Sequence, residues 1–223
     1  MPSPCLSQDG SHTLYSDKFQ AHYHSVFGAI EESIHVFIIS GLYKLVNQGY
    51  KEVNVFEMGF GSGLNALLTL IEANKFDLKI NYHTIEAYPV ESEMIGKLNY
   101  CQELNCDTDI IHTLHDLPWN ETHAVNPNFT FTKYHSEIES FKWPECHFDL
   151  VYWDAFAPNA QSHLWEEPIH KTVYNHMADY AVLVTYCTKG YFRRMMDEMY
   201  HSIERLNGPG KKREMLRATK SNA

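Results

Sequence analysis

The sequence predicts an α/β fold whose doubly wound, mainly parallel sheet carries helices on both faces. Three observations predict it. Segments of high β-propensity alternate with segments of helical period along most of the chain, which is typical of parallel sheets. A glycine-rich stretch, residues 59–63, joins the first strand of this series to the next helix. Two short strand candidates also flank Gly208-Pro209-Gly210, which predicts an antiparallel hairpin at the end of the sheet.

The composition is that of one ordinary globular domain. The chain has 223 residues, of which 44% are hydrophobic and 21% are charged, so it can bury a core without disulfides. It shows no linker, repeat or low-complexity tract, and we therefore predict a single domain, residues 1–223. No apolar run long enough to span a membrane and no secretory signal occur, and the five cysteines are an odd, scattered set. These features predict reduced thiols, a cytoplasmic location and no membrane partner.

The elements are expected in the following order. Residues 1–27 form an N-terminal extension, in which polar and aromatic residues predict short strand pieces. Apolar residues then recur with the period of a helix over 29–46, and Asn47-Gln48-Gly49 ends it. The later strands are predicted at 53–58, 79–86, 129–134, 148–154, 180–186, 202–206 and 214–219. The later helices are predicted at 64–73, 89–100, 165–177 and 191–200.

Charge is distributed unevenly along the chain. Residues 1–188 carry nine lysines, no arginine and twenty-four acidic residues, whereas residues 189–223 carry nine basic and four acidic residues. All five arginines lie in this last segment, and the planar fork of donors on arginine suits phosphate. On charge alone, a nucleic-acid partner and a solvated basic tail both remain open.

The glycine stretch is the strongest local signal of a ligand site. Gly59, Gly61 and Gly63 alternate with other residues directly after a strand, so a ligand can approach the backbone at the carboxyl end of that strand. The spacing matches neither a dinucleotide fingerprint nor a P-loop. Glu57 places a carboxylate beside the loop, which favours a ligand with a positive charge and an ammonium group, such as S-adenosylmethionine. The alternative is a glycine-rich connector without a ligand.

Two further acidic residues end predicted strands at the same edge. Glu86 follows the second strand of the series, where a carboxylate can accept hydrogen bonds from both ribose hydroxyls of a nucleoside. Asp154 ends a later strand and precedes an aromatic, proline-bearing loop. Its carboxylate can orient an amine towards an electrophilic methyl group, and Phe156 can hold a flat substrate. The alternatives are a solvated loop carboxylate for Glu86 and a helix N-cap for Asp154.

Several motifs together resemble the MnmD/MnmC family of methyltransferases. The glycine stretch with its continuation, residues 59–65, is one of them, and Asp154-Ala155-Phe156-Ala157-Pro158 is another. The others are residues 185–190 with Arg193-Arg194, residues 210–216, and the N-terminal motifs at 23–25, 28–33 and 35–37. The resemblance extends from residue 14 to residue 218 with the motifs in the same order.

The resemblance implies a fold and a function. It implies a class I S-adenosylmethionine-dependent methyltransferase, which is Rossmann-like with a seven-stranded mixed sheet and one antiparallel strand. The family methylates the 5-aminomethyl group of (2-thio)uridine at the wobble position of tRNA, in the anticodon region. The larger family members also carry a flavin domain, which we do not expect in this chain. A methyltransferase acting on small-molecule or protein amines, and a non-catalytic RNA-binding protein of the same fold, are the alternatives.

The candidate site residues fall into three groups. Asp154 is the candidate catalytic residue. The candidate cofactor-binding residues are Glu57, Gly59, Gly61, Gly63, Glu86 and, through the resemblance, Glu137. The candidate substrate-binding residues are Phe156, Lys189, Arg193, Arg194, Lys211, Lys212 and Arg213. We predict no metal site, because no C-x-x-C or H-E-x-x-H spacing occurs.

Overall fold

The structure, a computed structural model, describes residues 2–209 and 214–222, and it confirms the predicted alternation of strands and helices. The strands are β1 (Ser3–Leu6), β2 (His12–Ser16), β3 (Ala21–His22), β4 (Glu52–Met58), β5 (Lys79–Glu86), β6 (Thr122–Asn126), β7 (Phe129–His135), β8 (Phe148–Trp153), β9 (Met177–Thr185), β10 (Ser202–Asn207) and β11 (Glu214–Thr219). The helices are α1 (Ala29–Ser33), α2 (Tyr43–Asn47), α3 (Leu64–Phe76), α4 (Ser92–Ile95), α5 (Tyr100–Glu103), α6 (Asp109–Asp116), α7 (Glu167–Asn175) and α8 (Gly190–Met199). A π-helical segment, Ile34–Leu42, joins α1 to α2.

The main sheet has eight strands, in the order β10-β11-β9-β8-β4-β5-β7-β6. Five central strands, β4, β5, β7, β8 and β9, are parallel, and β10 and β11 form the predicted antiparallel hairpin at one edge. The fold class is confirmed, but the expected count of seven strands was one too few. The additional strand is β6, which pairs antiparallel with β7 at the other edge. Its residues are partly or fully exposed, so its sequence lacks the apolar pattern that indicates a buried strand.

The register of the central strands brings three sequence-predicted residues to one level. Met58 is paired with Trp153 on β8 and with Ile85 on β5. Gly59, Asp154 and Glu86, each one residue further on, therefore lie side by side at the carboxyl edge of the sheet. Open α/β sheets bind their ligands at this edge.

Two apolar layers cover the sheet. The segment from α1 to α3, together with α6, packs on one face against Tyr152 and Val184. Helices α7 and α8 pack on the other face against Val151, Trp153 and Leu183. Successive residues of β8 thus enter opposite layers, as the two-residue period of a strand requires, and both faces are buried.

Some of the predicted element bounds differ from those observed. The helix expected at 89–100 is instead two short helices, α4 and α5, separated by a segment that includes Gly96 and Asn99. Glycine disfavours a continuous helix, and the Asn99 side chain bonds to the carbonyl of Gly10 at 2.8 Å and to the amide of His12 at 2.7 Å. Strand β9 begins three residues earlier than expected, because the register with β8 shifts and accommodates Tyr180 at φ 61°.

The predicted N-terminal extension forms a small antiparallel sheet of β1, β2 and β3. The chain after β3 then crosses the carboxyl edge of the main sheet. Its backbone is held there by the amide of Tyr23, which donates to the carbonyl of Leu14 at 2.8 Å, and by the amide of His24, which donates to Oγ1 of Thr13 at 3.0 Å. Within residues 2–209 and 214–222, no helix has the length and apolar character that crossing a lipid bilayer demands.

Candidate active site

The glycine stretch makes a tight turn after β4 that brings its backbone against neighbouring strands. The amides of Gly59 and Phe60 both donate to the carbonyl of Ile85, at 3.0 and 3.3 Å. Gly59 has φ +92° and Gly61 has φ +51°, which is the left-handed region that favours glycine. A Cβ on Gly59 would lie 3.3 Å from the carbonyl oxygen of Asp154, and one on Gly61 would lie 3.0 Å from the Tyr23 ring.

Gly63 has a different role from the other two glycines. A Cβ at this position would lie 2.8 Å from Nε2 of His115 and 3.1 Å from both Ile111 and Phe60. The half-buried His115 ring donates to the carbonyl of Ser62 at 3.1 Å, and desolvation lowers its pKa to about 4. Gly63 therefore allows close packing of α6 beneath the loop, and it does not line the cavity at the strand ends.

Glu86 fastens the loop to β5. Its Oε2 accepts a hydrogen bond from the amide of Gly61 at 3.0 Å, and its Oε1 accepts one from the amide of Tyr88 at 2.8 Å. Burial raises the pKa of this carboxyl. Each carboxylate oxygen can accept a second hydrogen bond, so the predicted contact with ribose hydroxyls remains compatible with this arrangement.

Glu57 lies beneath the loop and not beside the ligand space. Its side chain is fully buried among Thr84, Asn65 and Tyr82, and it does not line the cavity described below. Burial raises the pKa of its carboxyl to about 8, so it is mostly protonated at neutral pH. The prediction of an ionised Glu57 facing the cofactor does not match this position: the residue is the last but one of β4, and its side chain points into the layer that contains α3.

Asp154 is held by groups from several elements. Its amide donates to the carbonyl of Met58 at 3.2 Å. Its Oδ2 accepts a hydrogen bond from Nδ2 of Asn65 on α3, at 2.8 Å. Nε2 of His24, on the segment after β3, lies 3.9 Å from the same oxygen. The side chains of Asp154 and His24 are 10% and 7% exposed, so the pair is nearly closed off from solvent.

A first cavity, here called the loop cavity, lies directly over the glycine loop. Gly59, Gly61, Glu86 and Asp154 form its floor, and aromatic side chains form its roof: Phe19, Tyr23, Tyr88 and Phe156. The ring of Phe156 lies 4.6 Å from that of Phe19 and 4.9 Å from that of Tyr23, between centroids. These rings leave a free space of only about 60 Å³.

A second cavity, here called the side cavity, lies on the other side of Asp154. Its walls come from the segment 21–27, from Glu32 on α1, and from Ala157 and Tyr186 at the ends of the sheet. Its volume is about 350 Å³, within the range of small-ligand sites. Three residues, Tyr23, His24 and Asp154, line both cavities and therefore form the wall between them.

Among the described residues, the remaining ones predicted for the site do not line the loop cavity or the side cavity. Glu137 is exposed and accepts a hydrogen bond from the hydroxyl of Tyr88 at 3.3 Å. Lys189 lines an open groove that shares Ala157 and Tyr186 with the side cavity. Both Arg193 and Arg194 lie on α8; Arg193 is partly exposed and Arg194 is exposed. The predictions for Lys211, Lys212 and Arg213 lie outside the described residues.

Several site residues were missed by the sequence analysis. His24 and Tyr23 belong to a motif that carried the resemblance, and Asn65 ends the glycine motif, yet no role was assigned to them. The sequence feature that could have indicated a role for them was the presence of polar and aromatic side chains within these motifs. Their positions at the site follow only from the tertiary contacts.

The loop cavity fits S-adenosylmethionine in its chemistry. The two glycines with positive φ expose the backbone, and the Glu86 carboxylate offers acceptors for hydroxyl groups. The aromatic roof offers flat surfaces to an adenine ring. The free space is smaller than the cofactor, so its binding requires the aromatic side chains of the roof to move outwards.

Comparisons with known proteins agree with the predicted class. Residues 114–221 match the family described as S-adenosyl-L-methionine-dependent methyltransferase. The fold is similar to the crystal structure of MnmC2 from Aquifex aeolicus, with a TM-score of 0.78 and 19% identity over 100% of this chain and 72% of that one. A protein from Listeria monocytogenes assigned to the class I methyltransferases gives a TM-score of 0.50 at 14% identity, over 93% and 63% of the two chains. The chain has the fold of the class I S-adenosylmethionine-dependent methyltransferases, and the family match agrees with S-adenosylmethionine as the predicted cofactor.

Relatives found by sequence comparison indicate a more specific kind of methyltransferase. The "tRNA 5-methylaminomethyl-2-thiouridine biosynthesis bifunctional protein MnmC" of Cupriavidus metallidurans is 28% identical over 229 residues, which is 95% of this chain and 33% of that protein. The protein of the same name from Leptospira borgpetersenii is 27% identical over 233 residues, 97% of this chain and 35% of its own. The chain thus spans about a third of the length of these relatives. The chain is similar to the methyltransferase part of the MnmC proteins, which confirms the resemblance drawn from its motifs.

Proposed function

We propose that the protein methylates the 5-aminomethyl group of (2-thio)uridine at the wobble position of tRNA, giving 5-methylaminomethyl-(2-thio)uridine. The observation that carries the proposal is Asp154 on the wall between a cofactor cavity and a second cavity, in a chain that the MnmC relatives match over nearly its whole length. Such a substrate places the protein in the cytoplasm, in contact with the anticodon region of tRNA.

The reaction requires an amine nitrogen whose free lone pair is aligned with the methyl group. S-adenosylmethionine supplies that methyl group on a positively charged sulfur, so the methyl is already electrophilic. Asp154 accepts a hydrogen bond from an N–H of the amine and thereby orients the lone pair. Asn65 holds the carboxylate in place through its 2.8 Å hydrogen bond. The low exposure of Asp154 and His24 keeps water from competing for the amine.

Three kinds of group would hold the cofactor in this proposal. Gly59 and Gly61 would present their backbone, and Glu86 would accept hydrogen bonds from the ribose. Glu137 would act at the rim through its contact with Tyr88, which is 3.3 Å long. Glu57 would act indirectly, because it lies buried under the loop and supports Asn65 and the neighbouring strand.

The tRNA would lie across the groove beside the side cavity. Lys189 lines this groove, and Arg193 and Arg194 follow within the first two turns of α8. Phe156 at the cavity roof would stack on the uracil ring. The sequence assigns the same phosphate-binding role to Lys211, Lys212 and Arg213.

The test is nucleoside mass analysis of tRNA after incubation with the protein and S-adenosylmethionine carrying a labelled methyl group. Substrate tRNA bearing 5-aminomethyl-2-thiouridine should gain one labelled methyl at that nucleoside, and matched tRNA without the aminomethyl group should gain none. Methyl transfer only to small amines or proteins would favour the corresponding alternative. Tight binding of tRNA and cofactor without any methyl transfer would favour a non-catalytic RNA-binding protein.

A further inference from the structure

His24 lies where a proton acceptor for an amine substrate is needed. Aliphatic ammonium groups have pKa values near 10, so the substrate amine is mostly protonated at neutral pH and has no free lone pair. A carboxylate is a weak base, with an ordinary pKa near 3.9, whereas imidazole has an ordinary pKa near 6.5. Asp154 can therefore orient the nitrogen, but an imidazole beside it is the better acceptor for the proton.

The geometry between the two side chains suits a shared amine. Nε2 of His24 and Oδ2 of Asp154 are 3.9 Å apart, which is too long for a direct hydrogen bond. A single nitrogen can lie about 2.8–3.0 Å from both atoms at once, which is the normal hydrogen-bond length. Both residues line the loop cavity and the side cavity, so a nitrogen held between them lies at the wall that separates cofactor from substrate.

Carboxylate oxygens, which can accept hydrogen bonds from an ammonium group, also line the side cavity. Glu32 lines this cavity together with Asp154 and His24, it is 6% exposed, and its Oε2 accepts a hydrogen bond from the amide of Ser25 at 2.7 Å. The hydroxyl of Tyr186 donates to the carbonyl of Ala155 at 2.7 Å, and its pKa is raised by burial and then by the charges of Asp154, Cys187 and Glu32. It therefore stays neutral and adds no competing negative charge.

We propose that the aminomethyl group enters through the side cavity and that His24 removes its proton before methyl transfer. This inference rests on the proposed function. Nε2 of neutral His24 takes one proton from the ammonium group, which leaves an amine with a lone pair and an imidazolium ion. The nitrogen–carbon bond then forms as the carbon–sulfur bond breaks, and its electron pair stays on sulfur. The secondary ammonium product departs, and the imidazolium releases its proton to water.

His24 is held rigidly enough for this task. Its amide donates to Oγ1 of Thr13 at 3.0 Å, and Thr13 is fully buried on β2. The small N-terminal sheet thus fixes the backbone on which the imidazole is mounted. Among the described residues, the other titratable side chains on the walls of the two cavities that His24 borders are His22, Tyr23, Glu32, Glu86, Tyr88, Asp154 and Tyr186.

The test is the pH dependence of single-turnover methylation of aminomethyl-tRNA by wild type and His24→Ala. We expect His24→Ala to be slower by about 10²-fold at pH 7. The deficit should shrink to less than tenfold at pH 9.5, because more substrate then arrives already deprotonated. His24→Asn, which keeps a polar side chain but accepts no proton, should show the same pH-dependent deficit. Calorimetric binding of S-adenosylhomocysteine should be unchanged in both variants.

His147→Ala is the matched control, since His147 is exposed at the opposite end of β8 from Asp154. It should methylate at the wild-type rate at every pH. A deficit in His24→Ala and His24→Asn that is equal at pH 7 and pH 9.5, or no deficit at all, overturns the role of His24 while leaving the proposed function intact. A wild-type protein that methylates no aminomethyl-tRNA overturns both. If His24→Ala does not fold, His24→Asn decides the question.

Discussion

Within the described residues, Asp154 contacts three other parts of the chain: its amide donates to the carbonyl of Met58 on β4, its carboxylate accepts a hydrogen bond from Asn65 on α3, and His24 after β3 lies close to the same carboxylate. This arrangement fixes the carboxylate, so its removal should affect the orientation of the amine and leave the cofactor cavity almost unchanged. We expect Asp154→Ala to lower kcat by about 10²- to 10⁴-fold and Asp154→Asn to lower it less, because asparagine keeps one oxygen for Asn65.

The measurement is single-turnover methylation together with calorimetric binding of S-adenosylhomocysteine, which should change little. Asp149→Asn, at the amino end of the same strand, is the matched control, because Asp149 accepts a hydrogen bond from the amide of Asn54 at 2.8 Å, away from the site. Near-normal methylation by a folded Asp154→Ala protein would remove Asp154 from the mechanism.

Glu57 makes stability depend on pH. Burial raises its pKa in the folded protein from 4.5 to about 8. Between these two pH values the folded chain holds a proton that the unfolded chain has released, so the free energy of unfolding falls as pH rises through this window, by at most about 1.4 kcal/mol per pH unit. Glu57→Gln removes this titration.

Thermal unfolding without ligand measures the effect. Glu57→Gln should melt at a higher temperature than wild type at pH 8, and the two proteins should melt close together at pH 5. Glu52→Gln is the control on the same strand, since Glu52 is exposed, and it should follow the wild type at both pH values. A Glu57→Gln protein with the full pH dependence of wild type would show that Glu57 is ionised in the fold.

At the scale of elements, the glycine turn after β4 packs against the segment that follows β3 and crosses the carboxyl edge of the main sheet. Gly61 has φ +51°, and a Cβ there would lie 3.0 Å from the Tyr23 ring. Gly61→Val should therefore lower the affinity for S-adenosylhomocysteine by more than tenfold, because it both strains the turn and pushes Tyr23 out of position. Calorimetry measures the loss.

Gly49 offers a control for backbone strain alone. It has φ +90°, but a Cβ there would meet nothing within 4 Å. Gly49→Val should therefore cost stability, about 1–2 kcal/mol from the left-handed backbone, and leave cofactor affinity unchanged. Equal affinities in the two variants would contradict a specific role for the contact between Gly61 and Tyr23.

The elements also show what a sequence can predict. The parallel strands were predictable because their apolar runs and the glycine stretch are visible in the sequence. The register of these strands then brings Gly59, Glu86 and Asp154 together. The contribution of His24 was not predictable, because its 3.9 Å contact joins residues 24 and 154 and depends on how the N-terminal sheet packs. The burial of Glu57 was also not predictable, because the sequence of a strand does not show which of its two faces packs against α3. The polar edge strand β6 lacked any apolar pattern.

At the scale of the whole molecule, the net charge of -10 opposes binding of a polyanion. Not every basic residue near the C-terminus can offset it. Arg217 makes two hydrogen bonds to Glu204, at 2.9 and 2.8 Å, and Arg205 pairs with Glu214 at 3.5 Å. Arg193 and Arg194 remain as the candidates on α8 within the described residues.

We expect the double variant Arg193→Ala, Arg194→Ala to raise the KM for tRNA and to lower the salt slope of binding by about 1 to 2. The measurement is binding of tRNA at several salt concentrations. The charge-matched control is Lys51→Ala with Lys75→Ala, at the opposite edge of the sheet, where β4 begins and α3 ends. If both double variants change the slope equally, α8 provides only general attraction.

The wall formed by Tyr23, His24 and Asp154 has a kinetic consequence. Because the two cavities lie on either side of it, neither substrate has to pass through the space of the other, and each product can leave while its companion stays bound. Steady-state initial-rate plots should therefore follow a random sequential scheme. Demethylated cofactor should compete with S-adenosylmethionine but inhibit noncompetitively towards tRNA. Obligatory binding of tRNA first would instead make this inhibition uncompetitive towards tRNA, and would show that the cofactor opening is closed until tRNA is bound.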